Sequence, residues 1–199
     1  MHTITLTLAS RNAHKAEEIA AMLPPHFVVH TLADHPELPE VEETGRTFAE
    51  NAALKALAIS AAIPGLVLAD DSGLCVDALC GAPGVLSARF AGEHGDDGAN
   101  NSKLLHELAP LMGEAPFTAR FVCAMCLAEG GRELAAFEGR VEGHITLTPR
   151  GTNGFGYDPL FEPVGHRRTM AELSAAEKHG LSHRANALRQ VVARLTAGA

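Results

Sequence analysis

Residues 4–23 read I-T-L-T-L-A-S-R-N-A-H-K-A-E-E-I-A-A-M-L. Ile4, Leu6 and Leu8 alternate with Thr5 and Thr7, the period of two that lines one face of a strand with apolar side chains. The run stops at Ser10-Arg11-Asn12, and a helix is predicted over residues 16–23, closed by Pro24-Pro25. A strand that turns straight into a helix is the unit from which α/β sheets are built.

Moving outward, Thr47-Phe48-Ala49-Glu50 is a capping box, in which the threonine hydroxyl and the glutamate carboxylate each satisfy an N–H at the start of an alanine-rich helix. That helix ends before Pro64-Gly65. Residues 66–69 are short, apolar and unalternating, as expected of a strand buried on both faces, and deliver Asp70 and Asp71 at its C-terminal end. Residues 104–111 read as the end of a helix, 117–127 and 133–147 as strands joined by a Glu129-Gly130-Gly131 turn, and the chain closes on a helix with Ala185, Leu188, Val192 and Leu195 on one side. Helices and strands interleave without repeat or long linker, so the class is α/β and residues 1–199 are expected to form a single domain.

Bulk properties narrow the function. The 199 residues are 46% hydrophobic, enough for a substantial core, and the formal net charge of -8 repels a long polyanion, so no nucleic-acid polymer is expected as partner. No charged and apolar leader opens the chain, and its most apolar stretch, residues 52–69, is broken by Lys55, Pro64 and Gly65; a soluble, cytoplasmic protein with no membrane contact is the expectation. Cys75, Cys80, Cys123 and Cys126 are then reduced thiols. The odd spacing of Cys123 and Cys126 within a strand sends them to opposite faces, which spoils a shared zinc site. The eleven histidines are scattered rather than set at ligand spacing.

Five groups of residues carry chemistry. Ser10, Arg11, Asn12, Ala13, His14 and Lys15 form a strand-to-helix turn whose N–H groups and cations favour an anion such as phosphate, although Arg11 and Lys15 also read as solvated surface charges. Asp70-Asp71-Ser72-Gly73 places two carboxylates at the mouth of a strand, where hard oxygens suit Mg²⁺; adjacent residues point opposite ways, so one carboxylate faces the site, unless both merely cap a turn. Glu42 and Glu43 precede the capped helix, on which Asn51 and Lys55 stand one turn apart, facing either a phosphate or solvent. Gly154-Phe155-Gly156-Tyr157-Asp158-Pro159 offers aromatic rings beside a carboxylate in a loop that permits close approach, with stacking on a base and core packing both open for the rings. Lys178, His183 and Arg184 follow the capping-type start Ser174-Ala175-Ala176-Glu177, and they are free to read a purine 6-oxo group, bind phosphate or face solvent.

The ordered set L-A-S-R-N-A-H-K (8–15), E-E-T-G-R-T-F-A-E-N-A-A-L-K-A (42–56), A-D-D-S-G-L (69–74), G-A-P-G-V-L-S-A-R-F (81–90), G-F-G-Y-D-P (154–159) and A-E-K-H-G-L-S-H-R (176–184) resembles the inosine triphosphatase-like family of XTP/dITP pyrophosphatases over nearly the whole chain. The resemblance implies a two-lobed α/β fold with a long mixed β-sheet flanked by helices and an active-site cleft between the lobes, a homodimer, and a Mg²⁺ requirement. It implies hydrolysis of non-canonical purine nucleoside triphosphates (ITP, dITP, XTP) to the monophosphate and pyrophosphate. On the same footing Asp71 is the proton acceptor and a metal ligand, Glu42 the second carboxylate on the metal, and Ser72 a substrate contact. Ser10 to Lys15 hold the triphosphate with help from Lys55; Phe155, Gly156, Tyr157 and Asp158 contact the base, and Lys178, His183 and Arg184 read the purine. The family usually has glycine where this chain has Arg11. Two other readings are a Maf-type nucleotide pyrophosphatase, with the same phosphate chemistry on other bases, and a non-catalytic nucleotide sensor, which would keep the phosphate and aromatic loops without Glu42 and Asp71.

Overall fold

The computed structural model describes residues 3–38, 40–114 and 116–197. Six strands, β1 (Ile4–Leu8), β2 (Phe27–Thr31), β3 (Leu66–Val76), β4 (Phe117–Glu129), β5 (Arg132–Ile145) and β6 (Phe161–Pro163), pair in the order β2-β1-β3-β4-β5-β6. β1 runs parallel to β2 and β3, whereas β5 and β6 are antiparallel, so the sheet is mixed. The helices are α1 (Ala13–Met22), α2 (Phe48–Ala62), α3 (Asp97–Leu108), α4 (Ala175–Leu181) and α5 (His183–Thr196). No helix among the described residues is long and apolar enough to cross a membrane.

The chain forms two compact units, one of Met1–Asp71, Cys123–Gly139 and Arg184–Ala199, the other of Ser72–Val122 and Arg140–His183. In the first unit the two faces of the sheet are separated residue by residue. Leu6, Leu8, Leu68, Cys123, Met125 and Leu127 pack with Ala16 and Ile19 of α1 and Ala187, Leu188 and Val191 of α5. Val67, Ala69, Ala124, Cys126 and Ala128 pack on the other face with Ala52, Ala56 and Ile59 of α2. Alternate residues of β3 and β4 thus divide between two cores, which is why these strands show no hydrophobic alternation in sequence. The alanines on the α2 side contribute little burial energy each, but they let the helix lie close to the strands. Cys123 and Cys126 indeed lie in different cores; burial pushes both thiols up to about 12, with Glu133 adding to the effect at Cys126.

The second unit is centred on Leu74, Leu104, Leu108, Phe117, Phe121, Tyr157, Phe161, Met170 and Leu173. β4 and β5 meet at a two-residue turn in which Gly130 and Gly131 both have positive φ, 57° and 76°, the condition for a tight hairpin.

Three boundaries differ from the sequence expectation. α1 begins at Ala13 rather than near residue 16, because the Asn12 side chain caps it by accepting from the Lys15 N–H at 3.0 Å. α3 runs Asp97–Leu108 behind an Asp96 cap, so the helix expected to end at residue 111 closes three residues earlier. β3 does not stop at Ala69 but continues to Val76, so Asp70 and Asp71 stand within a strand. They nevertheless lie just past the parallel ladder, since β1 ends with Leu8 opposite Leu68.

Candidate active site

The alternation of β3 decides what its two carboxylates do. Val67 and Ala69 face α2, and Asp71 continues that row; Leu68 faces α1 and α5, and Asp70 continues the other. Each aspartate is therefore met by different helices.

Asp71 is met by α2. Asn51 Nδ2 donates to Asp71 Oδ2 at 3.1 Å, and Lys55 Nζ lies 3.7 Å from Oδ1. The capping box at Thr47 and Glu50 is formed on both sides and fixes where α2 begins, hence which of its residues point at Asp71. Asn51 is itself held, accepting from the Gly45 N–H at 2.7 Å. A side chain at residue 45 would bring its Cβ within 2.6 Å of Asn51 Oδ1, so the glycine is required by this close approach. Lys55 Nζ also donates to Glu43 Oε1 at 2.6 Å.

Burial raises the Asp71 carboxyl above the ordinary carboxylate range, outweighing the nearby Lys55 and Lys15 ammonium groups. Burial works against the charge on Lys55 too, but Asp71, Asp70 and Glu43 together hold its pKa above the usual lysine value. A carboxylate of raised basicity beside a permanent cation is an arrangement suited to taking a proton from water.

Asp70 is met by α1 and by the start of α5. It is 2% exposed, with Lys15 Nζ and Arg184 NH2 each 3.4 Å from Oδ2. Burial alone would favour the neutral acid; Lys15, Arg184 and Lys55 override it and hold Asp70 ionised well below the ordinary range. Arg184 NH1 also donates to Glu18 Oε2 at 2.5 Å.

Around Lys15 the turn between β1 and α1 takes shape. Ser10 Oγ accepts from the Asn12 N–H at 3.2 Å, and Lys15 stands in the first turn of α1. Ala13 and His14 are exposed there. Arg11 donates to the Leu38 carbonyl at 2.6 Å. Among the described residues Cys80 is the one non-glycine with positive φ, so the backbone at Arg11 makes no demand for glycine.

In the second unit, Lys178 Nζ and Asp158 Oδ2 form a buried ion pair at 2.6 Å, and the same oxygen accepts from the Phe155 N–H at 3.1 Å. The Lys178 ammonium lies 5.0 Å from the centroid of the Phe155 ring. Phe155 is partly exposed, whereas Tyr157 is buried with its hydroxyl donating to the Ser87 carbonyl at 2.9 Å, so the core claims one ring and leaves the other at the surface. His183 stacks on Phe121, ring centroids 4.9 Å apart.

Arg184 is 1% exposed, with its guanidinium between Glu18 and Asp70. Of the glutamate pair, Glu43 contacts Lys55 while Glu42 is exposed. Glu18, Asp97 and Asn101 are not among the residues that the sequence singles out.

Among the described residues no three or more His, Cys, Asp or Glu side chains are grouped to hold an ion. Asp71 offers a hard carboxylate oxygen, the ligand type that Mg²⁺ takes in ones or twos when water and phosphate complete its shell.

Residues 6–194 match the model of the Ham1 family. The chain is 52% identical to a dITP/XTP pyrophosphatase of Exiguobacterium sp. over 96% of each sequence, and 51% identical to one from Streptomyces avermitilis over 94% of each. Among solved structures it is similar to the Staphylococcus aureus Ham1 protein, with TM-score 0.87 and 40% identity over 98% of this chain and 100% of that one. It is also similar to a nucleoside-triphosphatase, dITP/XTP pyrophosphatase, of Mycobacterium abscessus, with TM-score 0.76 and 45% identity over 95% and 99%. With a family match over almost its whole length and relatives near half identical, this chain belongs to the Ham1 family.

Proposed function

We propose that this protein hydrolyses non-canonical purine nucleoside triphosphates, dITP, XTP and ITP, to the nucleoside monophosphate and pyrophosphate. The observation that carries this reading is Asp71: a buried carboxylate of raised basicity, oriented by Asn51 and set beside Lys55, in a chain about half identical to named dITP/XTP pyrophosphatases. Asp71 takes a proton from the water that attacks the α-phosphorus. Lys15 and Lys55 offset the charge that develops on the phosphate oxygens, and the first turn of α1 with Ser10, Arg11, Asn12, Ala13 and His14 holds the triphosphate. Asp71 and Glu42 would hold Mg²⁺, which when bound supplies charge neutralisation on the phosphates. Glu43 is already engaged by Lys55, which favours Glu42 as the second ligand.

The base falls to the second unit. Phe155 stacks on the purine, Gly156, Tyr157 and Asp158 shape the loop around it, Ser72 contacts substrate, and Lys178 and His183 donate to the 6-oxo oxygen. Adenine presents a 6-amino donor there, leaving such donors without an acceptor. Arg184 acts through Asp70, which it pairs with. A homodimer and a cytoplasmic location complete the proposal, and light scattering of the purified protein tests the first.

The deciding experiment is pyrophosphate release from a panel of ITP, dITP, XTP, ATP, GTP and pyrimidine triphosphates, with and without Mg²⁺. Mg²⁺-dependent release confined to the first three supports the proposal. Preference for a pyrimidine would favour the Maf-type reading, and binding without turnover a nucleotide sensor. Phe155→Ala is expected to weaken ITP binding by ~1–3 kcal/mol through loss of stacking, leaving the affinity for inorganic tripolyphosphate unchanged. An equal loss for both ligands would show the ring to be structural.

A further inference from the structure

We infer that Asp97 and Asn101 of α3 are positioning residues that clamp Gly156 and so hold the base-contacting loop in its binding shape. This rests on the reading that residues 155–158 receive the purine. Gly156 donates its N–H to Asp97 Oδ2 at 2.6 Å and accepts at its carbonyl from Asn101 Nδ2 at 2.9 Å. Both backbone polar groups of one residue are thus taken by side chains one helical turn apart, on a single face of α3.

The loop needs such a clamp. Gly151, Gly154 and Gly156 all have positive φ, 79°, 73° and 63°, and glycine loses more conformational freedom on ordering than any other residue. A ligand that had to order this segment would bind more weakly by that cost. Neighbouring residues are fixed from other directions: Asp158 holds the Phe155 N–H, and the Ser87 carbonyl holds the Tyr157 hydroxyl. Gly156 is the link between them, and among the described residues the side chains that hold it come from α3.

The mount itself is firm. Leu104 and Leu108 are fully buried, and Asn100 accepts from the Ala91 N–H at 2.7 Å and donates to the Ala88 carbonyl at 3.3 Å. Asp97 is not spent on capping α3, a task done by Asp96, which accepts from the Ala99 N–H. Its charged acceptor gives the stronger half of the clamp, and Asn101 sets the orientation of the carbonyl.

The test compares two ligands that share the phosphates but not the base. In D97A/N101L the KM for ITP should rise ~10-fold or more, with kcat within ~3-fold and the Ki for inorganic tripolyphosphate unchanged, since the loss of two hydrogen bonds falls on the base loop alone. D97N keeps an acceptor oxygen and should restore most of the ITP affinity. A Ki for tripolyphosphate that rises in step with the ITP KM, or an ITP KM that does not move, overturns the clamp. Should the double variant fail to fold, N101L alone carries the comparison with a smaller expected rise. Phe155→Ala separates the two levels: if it raises the ITP KM and the clamp variants do not, only the clamp falls. If Phe155→Ala leaves the ITP KM unchanged, the base-loop reading fails and takes the clamp with it.

Discussion

Asp71→Asn is expected to fold normally and to lose ~10²-fold or more in kcat, because proton acceptance and metal ligation by one carboxylate vanish together. The amide is nearly isosteric and keeps an oxygen toward Asn51 Nδ2, so the packing between β3 and α2 is preserved. What it lacks is basicity and charge. Lys55, 3.7 Å away, would keep its ion pair with Glu43 and the longer-range attraction of Asp70. Stability should move the other way from activity. The folded protein raises the Asp71 pKa through burial, so at neutral pH the ionised carboxylate is a burden that the neutral amide removes. Unchanged or increased Tm with collapsed turnover is the signature of a group kept for chemistry rather than for folding. A folded variant turning over ITP at close to the normal rate would remove Asp71 from the mechanism.

The α/β class was readable because Ile4 to Leu8 and the capping box at Thr47 are local signals, each set by residues within a few positions of one another. The strand-to-helix turn at Ser10 to Lys15 and the Asp-Asp pair on β3 were readable for the same reason. The opposite facing of Asp70 and Asp71 also followed from strand geometry alone, and the structure divides them between α2 and the α1 and α5 side accordingly. Which aspartate met which helix was not readable. That depends on Lys15 and Arg184 converging on Asp70, Arg184 from 114 residues away and itself held by Glu18. Arg184 illustrates the limit: its adjacency to His183 suggested a shared task, yet the chain changes unit between them. Asp97 and Asn101 were invisible as well, since their partner is the backbone of a glycine 55 to 59 residues on, and backbone atoms leave no mark in sequence.

Asp70→Asn should produce the largest loss of stability of any single change at the site, ~3–5 kcal/mol at pH 7, because it strips a buried arginine of one of its two carboxylate partners. Lys15 and Arg184 lie 3.4 Å from Asp70 Oδ2, and the Arg184 side chain is 2% exposed, so water cannot replace the missing charge. Glu18 remains on Arg184, but Lys15 loses its ion pair. The pH dependence follows from the depressed Asp70 pKa. A carboxyl whose folded pKa lies below its unfolded value of about 4 contributes stability that is fully present above that value and lost as pH falls through the folded one. The gap between wild type and D70N should therefore be constant from pH 8 to about 5 and narrow only in stronger acid. Thermal denaturation across that range measures it, at ~2–4 °C of Tm per kcal/mol for a chain of this size. Adding Arg184→Met to D70N removes the stranded cation, so the double variant should lose less than the sum of the two single changes. Strict additivity, or a D70N protein within ~0.5 kcal/mol of wild type at pH 7, would mean that Asp70 and Arg184 are not a coupled pair and that Lys15 is held in the phosphate turn by other means.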